Sequence, residues 1–399
     1  MELNQILEQG RLLRHKNKVK AQSSFETCLQ QAEAESQQII AVIAATELAL
    51  ELIDTAHEPA LQQAQSLLLK AESLLTDCVT CQIEAAYIQY SYGLLNLQQG
   101  NYVDALSYLQ IAAQNYGEDA VGLSLVDDAL GQYYATLGEP RTASMYLRRS
   151  LSRRQSPEFD RGKALSYALL GKINLQLENY EQAENFFEQS LDLALQLDST
   201  YARLQAMTGL GQMAIAQAEW ETAIIMLQEC LQLLQEPIDL SKAAYLYTSL
   251  AEAFLGSTDI DRAQICIETE AIPRFQHLQD RYGLAIAKRL LGVILSRRLL
   301  NGTDSLTEEA VEKAEDYLLD ASMLFEQFGR RQEYARTLYD LACLYNIYDN
   351  SNHKYQYQGK AVRTLEMALN ALEQSESGTT KLTNQIEALL NQSIGSLSH

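Results

Sequence analysis

The sequence predicts an all-α fold, a stack of about nine helix–turn–helix repeats closed by a C-terminal helix. Three observations lead there. The composition favours helix, with Leu, Ala, Gln and Glu abundant and only 5 prolines in 399 residues. A pattern of small and large apolar residues recurs about every 40 residues. Within each copy those positions fall three and four apart, the spacing of one helix face.

The pattern is plainest in YALLGKINLQLENYEQAENFFEQSL, Tyr167–Leu191. Taking its Ala183 as reference, matching alanines stand at Ala21, Ala64, Ala105, Ala143, Ala223, Ala263, Ala314 and Ala361. Four residues after each comes a large apolar residue: Phe25, Leu68, Leu109, Leu147, Phe187, Leu227, Ile267, Leu318 and Leu365. Seven after comes a small one: Cys28, Ala71, Ala112, Ser150, Ser190, Cys230, Ala321 and Ala368, with Glu270 the exception. These positions define the second helix of each repeat, helix B.

Helix A precedes it. Twelve residues before the reference stand Gly93, Gly131, Gly171, Gly211 and Ala251, and in the last two repeats Gly292 and Ala342 take the place further upstream. A glycine inside a helix costs about 1 kcal/mol against alanine. Its return at one position predicts close approach between helices there. Turn signals separate A from B, as in Gly100-Asn101, Gly138-Glu139-Pro140 and Glu178-Asn179.

With small–Gly on helix A and Ala, large apolar, small on helix B, the chain resembles the tetratricopeptide repeat family. The period resembles its long-repeat members, such as kinesin light chains and bacterial peptide receptors. The resemblance implies a right-handed superhelix, an α-solenoid whose helices A line a concave surface that binds proteins or peptides.

The repeats are uneven. Residues 1–80 read as two degenerate repeats, with Gln9 and Leu52 at the glycine position although Gly10 is adjacent to the first. Residues 81–275 read as regular repeats. In the last of these, Glu270 and Pro273 predict that helix B ends or kinks, since a proline inside a helix costs about 3 kcal/mol. Residues 276–375 carry extra residues between helices, in RRLLNGTDSLTEE and YDNSNHKYQYQG, and predict longer inter-helix loops. Residues 376–399 predict a capping helix and tail, with Leu382, Ile386, Leu389 and Leu390 as its apolar stripe.

Bulk properties narrow the function. The net charge of -21 argues against non-specific binding to nucleic acid or anionic membrane. The most apolar run, IIAVIAATELALELI, is broken by Glu47 and Glu51 and is too short and charged to span a bilayer. No secretion signal is read at the start, so a cytoplasmic location is expected. Cys78 and Cys81 have CxxC spacing, but neither a second zinc-binding pair nor the βαβ setting of a redox pair accompanies them. No metal and no cofactor are expected.

Thr208–Ala214 contains GxGxxA, yet Gly211 is a helix A glycine without the preceding strand that a nucleotide fingerprint needs. The histidines are scattered and no hydrolase, metalloprotease or P-loop motif is read, so the chain is not expected to be an enzyme.

The resemblance places offsets −6, −3 and +1 from the helix A small residue on the concave face. It thereby nominates Tyr87, Tyr90, Asp128, Gln132, Lys172, Gln205, Gln212, Tyr245, Glu252, Arg289, Arg336 and Tyr339 as partner-binding residues, against the plainer reading that several pack between repeats. No asparagine stands at offsets −2 or +1, which disfavours the family's terminal-carboxylate clamp and favours a helix or folded surface as ligand.

A basic cluster between positions 141 and 163 includes Arg148, Arg149, Arg153 and Arg154. It is a candidate patch for an acidic or phosphorylated partner, or a set of surface arginines offsetting acidic neighbours.

The leading expectation is a protein–protein interaction scaffold or adaptor with a protein or peptide partner. The alternative is a sensor that binds a peptide or small effector and acts on a partner in trans. Self-association is left open.

Overall fold

The computed structural model describes residues 2–14, 17–55, 58–75, 80–155, 160–234, 239–302, 305, 307–352, 357–373 and 380–397. Cys78 of the CxxC pair lies outside them. Among the described residues every regular element is helical.

Among the described residues helices A and B alternate through nine pairs. The first three are α1 (Leu3–Arg14) with α2 (Lys18–Ala34), α3 (Gln38–Ile53) with α4 (Glu58–Leu75), and α5 (Gln82–Gln98) with α6 (Tyr102–Tyr116). Next come α7 (Ala120–Thr136) with α8 (Pro140–Arg153), α9 (Asp160–Gln176) with α10 (Tyr180–Gln196), and α11 (Thr200–Ala216) with α12 (Trp220–Leu233). In the seventh pair α13 (Leu240–Gly256) meets an interrupted helix B: α14 (Ile260–Ile265), a π-helical turn Cys266–Ala271, and α15 (Ile272–Leu278). The last are α16 (Arg281–Leu300) with α17 (Glu308–Gln327) and α18 (Arg331–Asn352) with α19 (Gln358–Glu373), followed by α20 (Thr380–Leu397). The fold is an all-α solenoid of helix pairs with a terminal helix.

The chain divides into two compact units. The first holds residues 1–135, 140–210 and 232–239, and the second holds 136–139, 211–231 and 240–399.

The repeat register is the core. All nine reference alanines and all nine large apolar residues after them are fully buried. The helix A glycines are the holes that receive those side chains. A Cβ on Gly93 would lie 2.6 Å from Leu109 Cδ2, on Gly131 2.6 Å from Leu147 Cγ, and on Gly171 2.5 Å from Phe187 Cε1. Gly10 accommodates Phe25 in the same way, at 2.5 Å, so the first repeat has its glycine one position off the expected spacing. The small residue seven after the reference has its own reason. Ser150 Oγ donates to Ser124 O at 3.0 Å and Ser190 Oγ to Ala164 O at 2.7 Å, tying helix B to the backbone of helix A.

Turns from A to B share one device. The residue five before the reference adopts positive φ: Gly100 (78°), Gly138 (78°), Glu178 (59°), Ala218 (62°) and Thr258 (69°). The next amide closes the helix end, as when Asn179 N donates to Asn174 O at 2.9 Å.

The later repeats depart from the regular pattern. Helix B of the seventh repeat is interrupted ahead of Pro273 by the π-helical turn Cys266–Ala271 and resumes as α15. The π turn inserts one residue, so that Ala271, not Glu270, is fully buried and Phe275 still reaches the core. Glu270 turns outward and pairs with Arg274 at 2.7 Å, while Arg274 Nη1 also donates to Glu270 O at 2.6 Å. The extra residues of the eighth and ninth repeats go into longer helices as well as longer connections, 301–307 and 353–357 against 99–101 in the third repeat. Helix α16 has 20 residues and α18 has 22, against 17 in α9. Leu299, in the added turn of α16, is buried, so the extension has core to cover.

Candidate partner-binding site

Within each unit the helices A carry charged and aromatic side chains that pair with one another. In the first unit the assembly spans α1, α3, α5, α7 and the end of α8. Arg11 Nε donates to Glu47 Oε1 at 2.7 Å and Arg14 Nη2 to Glu47 Oε2 at 2.7 Å. Arg14 Nε also binds Glu51. Glu47 and Glu51 are 2 % and 4 % exposed, whereas the arginines above them keep 39 % and 28 % of their side chains accessible.

Burial by itself would raise Glu47, but Arg14 and Arg11 outweigh it and hold the carboxyl below the ordinary glutamate range. For Glu51 burial wins over Arg14, and its pKa is raised. Burial would lower Arg14, but Glu47 and Glu51 together hold it well above the ordinary value.

Tyr87 and Tyr90 follow on α5. Their rings stack at 6.1 Å between centroids, 5° from parallel. Burial raises both phenols, with Glu47 adding to the shift at Tyr87 and Asp128 at Tyr90. Asp128, on α7, accepts from Ser166 Oγ at 2.9 Å and pairs with Arg154 at 2.7 Å. Burial raises it against the pull of Arg154. Further along the unit, Lys172 Nζ donates to Gln205 Oε1 at 2.9 Å, and Gln132 is half-buried with no hydrogen bond inside the chain among the described residues.

The second unit has its own cluster. Tyr245 OH donates to Asp280 Oδ2 at 2.9 Å, and the other oxygen of Asp280 accepts from Gly283 N at 2.8 Å as the N-cap of α16. Burial raises both Tyr245 and Asp280. Arg289 pairs with Asp340 at 2.7 Å, both largely buried, and the negative charge of Glu252 also acts on it. Tyr339 contacts Cys343, and burial pushes the tyrosine up to about 12 and the thiol up to about 11. Gln212 is half-buried and Arg336 exposed.

The basic cluster is largely engaged. Arg149 and Arg153 both bind Asp127, which is 2 % exposed, with Arg153 Nε donating to Oδ2 at 2.8 Å. Arg154 is 4 % exposed and donates to Ser166 Oγ at 2.6 Å and Ser150 Oγ at 2.8 Å. Arg148 remains outside, over the Phe186 ring at 5.5 Å.

Sequence reasoning missed Arg11, Arg14, Glu47 and Glu51. Arg11 stands at offset +1 from Gly10, so the inward rule applied to Gly10 in place of Gln9 finds it. It also missed Asp280, which lies between helices, and Asp340, at the offset examined only for asparagine. Cys81 is disulfide-bonded. Among the described residues no group of His, Cys, Asp and Glu is arranged to hold a metal, and no helix is long and apolar enough to cross a membrane.

Residues 160–236 match the family model described as tetratricopeptide repeat. The helix pairs on either side of that match carry the same register of small and large apolar residues. No curated protein matches it in sequence. Solved structures with similar folds include the apo form of the quorum sensor NprR from B. thuringiensis, 16% identical with a TM-score of 0.59, covering 93% of this chain and 97% of that one. A Rap protein complexed with competence and sporulation factor is 17% identical with a TM-score of 0.57, covering 88% and 99%. Aspartyl phosphate phosphatase F from Bacillus subtilis is 16% identical with a TM-score of 0.56, covering 94% and 95%. At these identities the likeness is one of fold.

Proposed function

We propose that this tetratricopeptide-repeat chain is a non-catalytic cytoplasmic scaffold or adaptor that binds a protein or peptide partner along the inner faces of its helices A. One observation carries the reading. In the first unit two buried glutamates fix Arg11 and Arg14, whose side chains stay 39 % and 28 % exposed, near the half-buried stacked rings of Tyr87 and Tyr90. Such pre-ordering lowers the entropy lost on binding. The acidic excess lies in helices B and in the segments between helices, and it steers basic partners at long range without setting specificity.

A second reading is a peptide-sensing regulator that acts on another protein in trans. It draws on the near full-length likeness to a quorum sensor and to a Rap protein solved with competence and sporulation factor.

The test begins with affinity purification from the native organism, followed by dissociation constants for the recovered partner. Tyr90→Ala with Tyr245→Ala is expected to weaken binding by about 2 kcal/mol or more, the scale of interface hot spots. Normal binding by that variant, with loss on changing Arg148, Arg149 and Arg153, would move the site to the basic cluster. Recovery of the same partner by both variants at full affinity would refute the inner-face reading.

A further inference from the structure

The inner face of the first unit leaves a specific set of hydrogen-bond donors unused. Arg14 spends Nε on Glu51 and Nη2 on the carboxylate and carbonyl of Glu47, at 2.7 and 3.2 Å, and nothing among the described residues takes Nη1. Arg11 spends Nε on Glu47 and Nη1 on Glu8, each at 2.7 Å, and Nη2 is likewise unspent. The hydroxyls of Tyr87 and Tyr90 make no hydrogen bond within the described chain, although both side chains are half-buried. Helix α3, whose Glu47 and Glu51 hold the guanidiniums, packs against α5, which carries the two stacked tyrosines. Glu47 and Glu51 are underneath, 2 % and 4 % exposed, and Glu8, 62 % exposed, stands to the side of Arg11.

We propose that Arg11, Arg14, Tyr87 and Tyr90 form an anion subsite that takes a carboxylate or phosphate group of the partner. It rests on the partner-binding reading above and specifies the chemistry of one end of that surface. Guanidinium forks bind such oxyanions with paired, charge-assisted hydrogen bonds, and phenol hydroxyls add neutral ones. Glu47 and Glu51 act as positioning residues. They fix the guanidinium planes and balance their charge, so the subsite discriminates through local donors and not through a broad positive field. This route to an anion differs from an asparagine-based clamp, whose residues the chain lacks.

The experiment uses the full chain, immobilised, against three random nonapeptide libraries read by affinity-selection mass spectrometry. One library has free C-terminal carboxylates. One is C-terminally amidated and free of acidic residues. One is amidated and carries one internal phosphoserine, aspartate or glutamate. Enrichment at least tenfold over the amidated neutral library supports the subsite. Enrichment of the first library assigns the anion to a chain terminus, and enrichment of the third assigns it to a side chain.

Retention is expected to fall at least tenfold in Arg11→Gln and in Tyr87→Phe, and to be unchanged in Glu188→Gln, an exposed position on α10. Arg14 neutralises a buried carboxylate, so Arg14→Lys, which keeps the charge and loses the fork, replaces the glutamine variant there. Equal retention of neutral amidated peptides, unaffected by these substitutions, overturns the subsite while leaving the inner-face reading standing. No retention from any library overturns the subsite and counts against the peptide-binding reading as well.

Discussion

Gly171 gives the sharpest test of how the repeats pack. A Cβ placed there would lie 2.5, 2.6 and 2.9 Å from Cε1, Cδ1 and Cγ of Phe187, where ordinary carbon contacts need about 3.5 Å or more. The ring would have to retreat by roughly 1 Å to reach that separation. It has nowhere to go, because Gly209 of α11 backs it on the other side, with a virtual Cβ only 2.1 Å from Cε1. Phe187 is fully buried between them. Overpacking of this kind costs about 1–3 kcal/mol. The intrinsic helical gain of alanine over glycine returns about 1 kcal/mol. Gly171→Ala is therefore expected to be destabilised by up to about 2 kcal/mol, and Gly171→Leu by more.

Gly359, near the start of α19, is the control. Nothing lies within 4 Å of its virtual Cβ, so Gly359→Ala is expected to gain about 0.5–1 kcal/mol. Because repeat arrays need not unfold in one step, the readout is hydrogen exchange of α9 and α10 together with the urea midpoint. Equal effects of leucine at the two glycines would refute the argument that the helix A glycine exists to receive the helix B side chain.

Three further outcomes are expected. Amides from Ile265 to Gln276 should exchange faster than those from Gln182 to Leu193, because the π turn and Pro273 weaken the ladder there; slower exchange would show that packing around Ala271 and Phe275 dominates. Thr258→Gly should raise stability by about 1 kcal/mol, because a β-branched residue held at φ 69° takes the left-handed place that Gly100 and Gly138 fill in other repeats, and a lower melting temperature would contradict this. Asp280 has a folded pKa raised above the ordinary 3.8 by burial, so its contribution is present at low pH and is lost as pH rises through the folded value. The melting temperature of the native chain relative to Asp280→Asn should accordingly fall as pH rises above about 4, and a difference independent of pH would rule out the buried carboxyl as the cause.

The repeat was legible in the sequence because its signal is local and periodic. An alanine, a large apolar residue four later and a small residue seven later lie on one face of one helix, and burial at every copy follows from that spacing alone. The terminal helix and the Gly-to-apolar packing were readable on the same ground. Other features depended on what stood opposite. Whether Pro273 broke its helix was decided by the core, which kept Ala271 and Phe275 buried through a one-residue π insertion. Whether RRLLNG was loop or helix was decided by the surface available to Leu299.

The candidate site shows the same division. The inward offsets came from the family resemblance, and they nominated Tyr87, Tyr90, Asp128 and Arg289. They did not reveal that Asp128 is paired with Arg154, or that Glu47 lies beneath two arginines from a helix whose closest charged residue is 33 positions away. Composition and period fix which face of a helix points inward, since that depends on one backbone. Which inward charges meet depends on the separation between helices, and that distance is set only once the side chains of neighbouring repeats have filled the space between them.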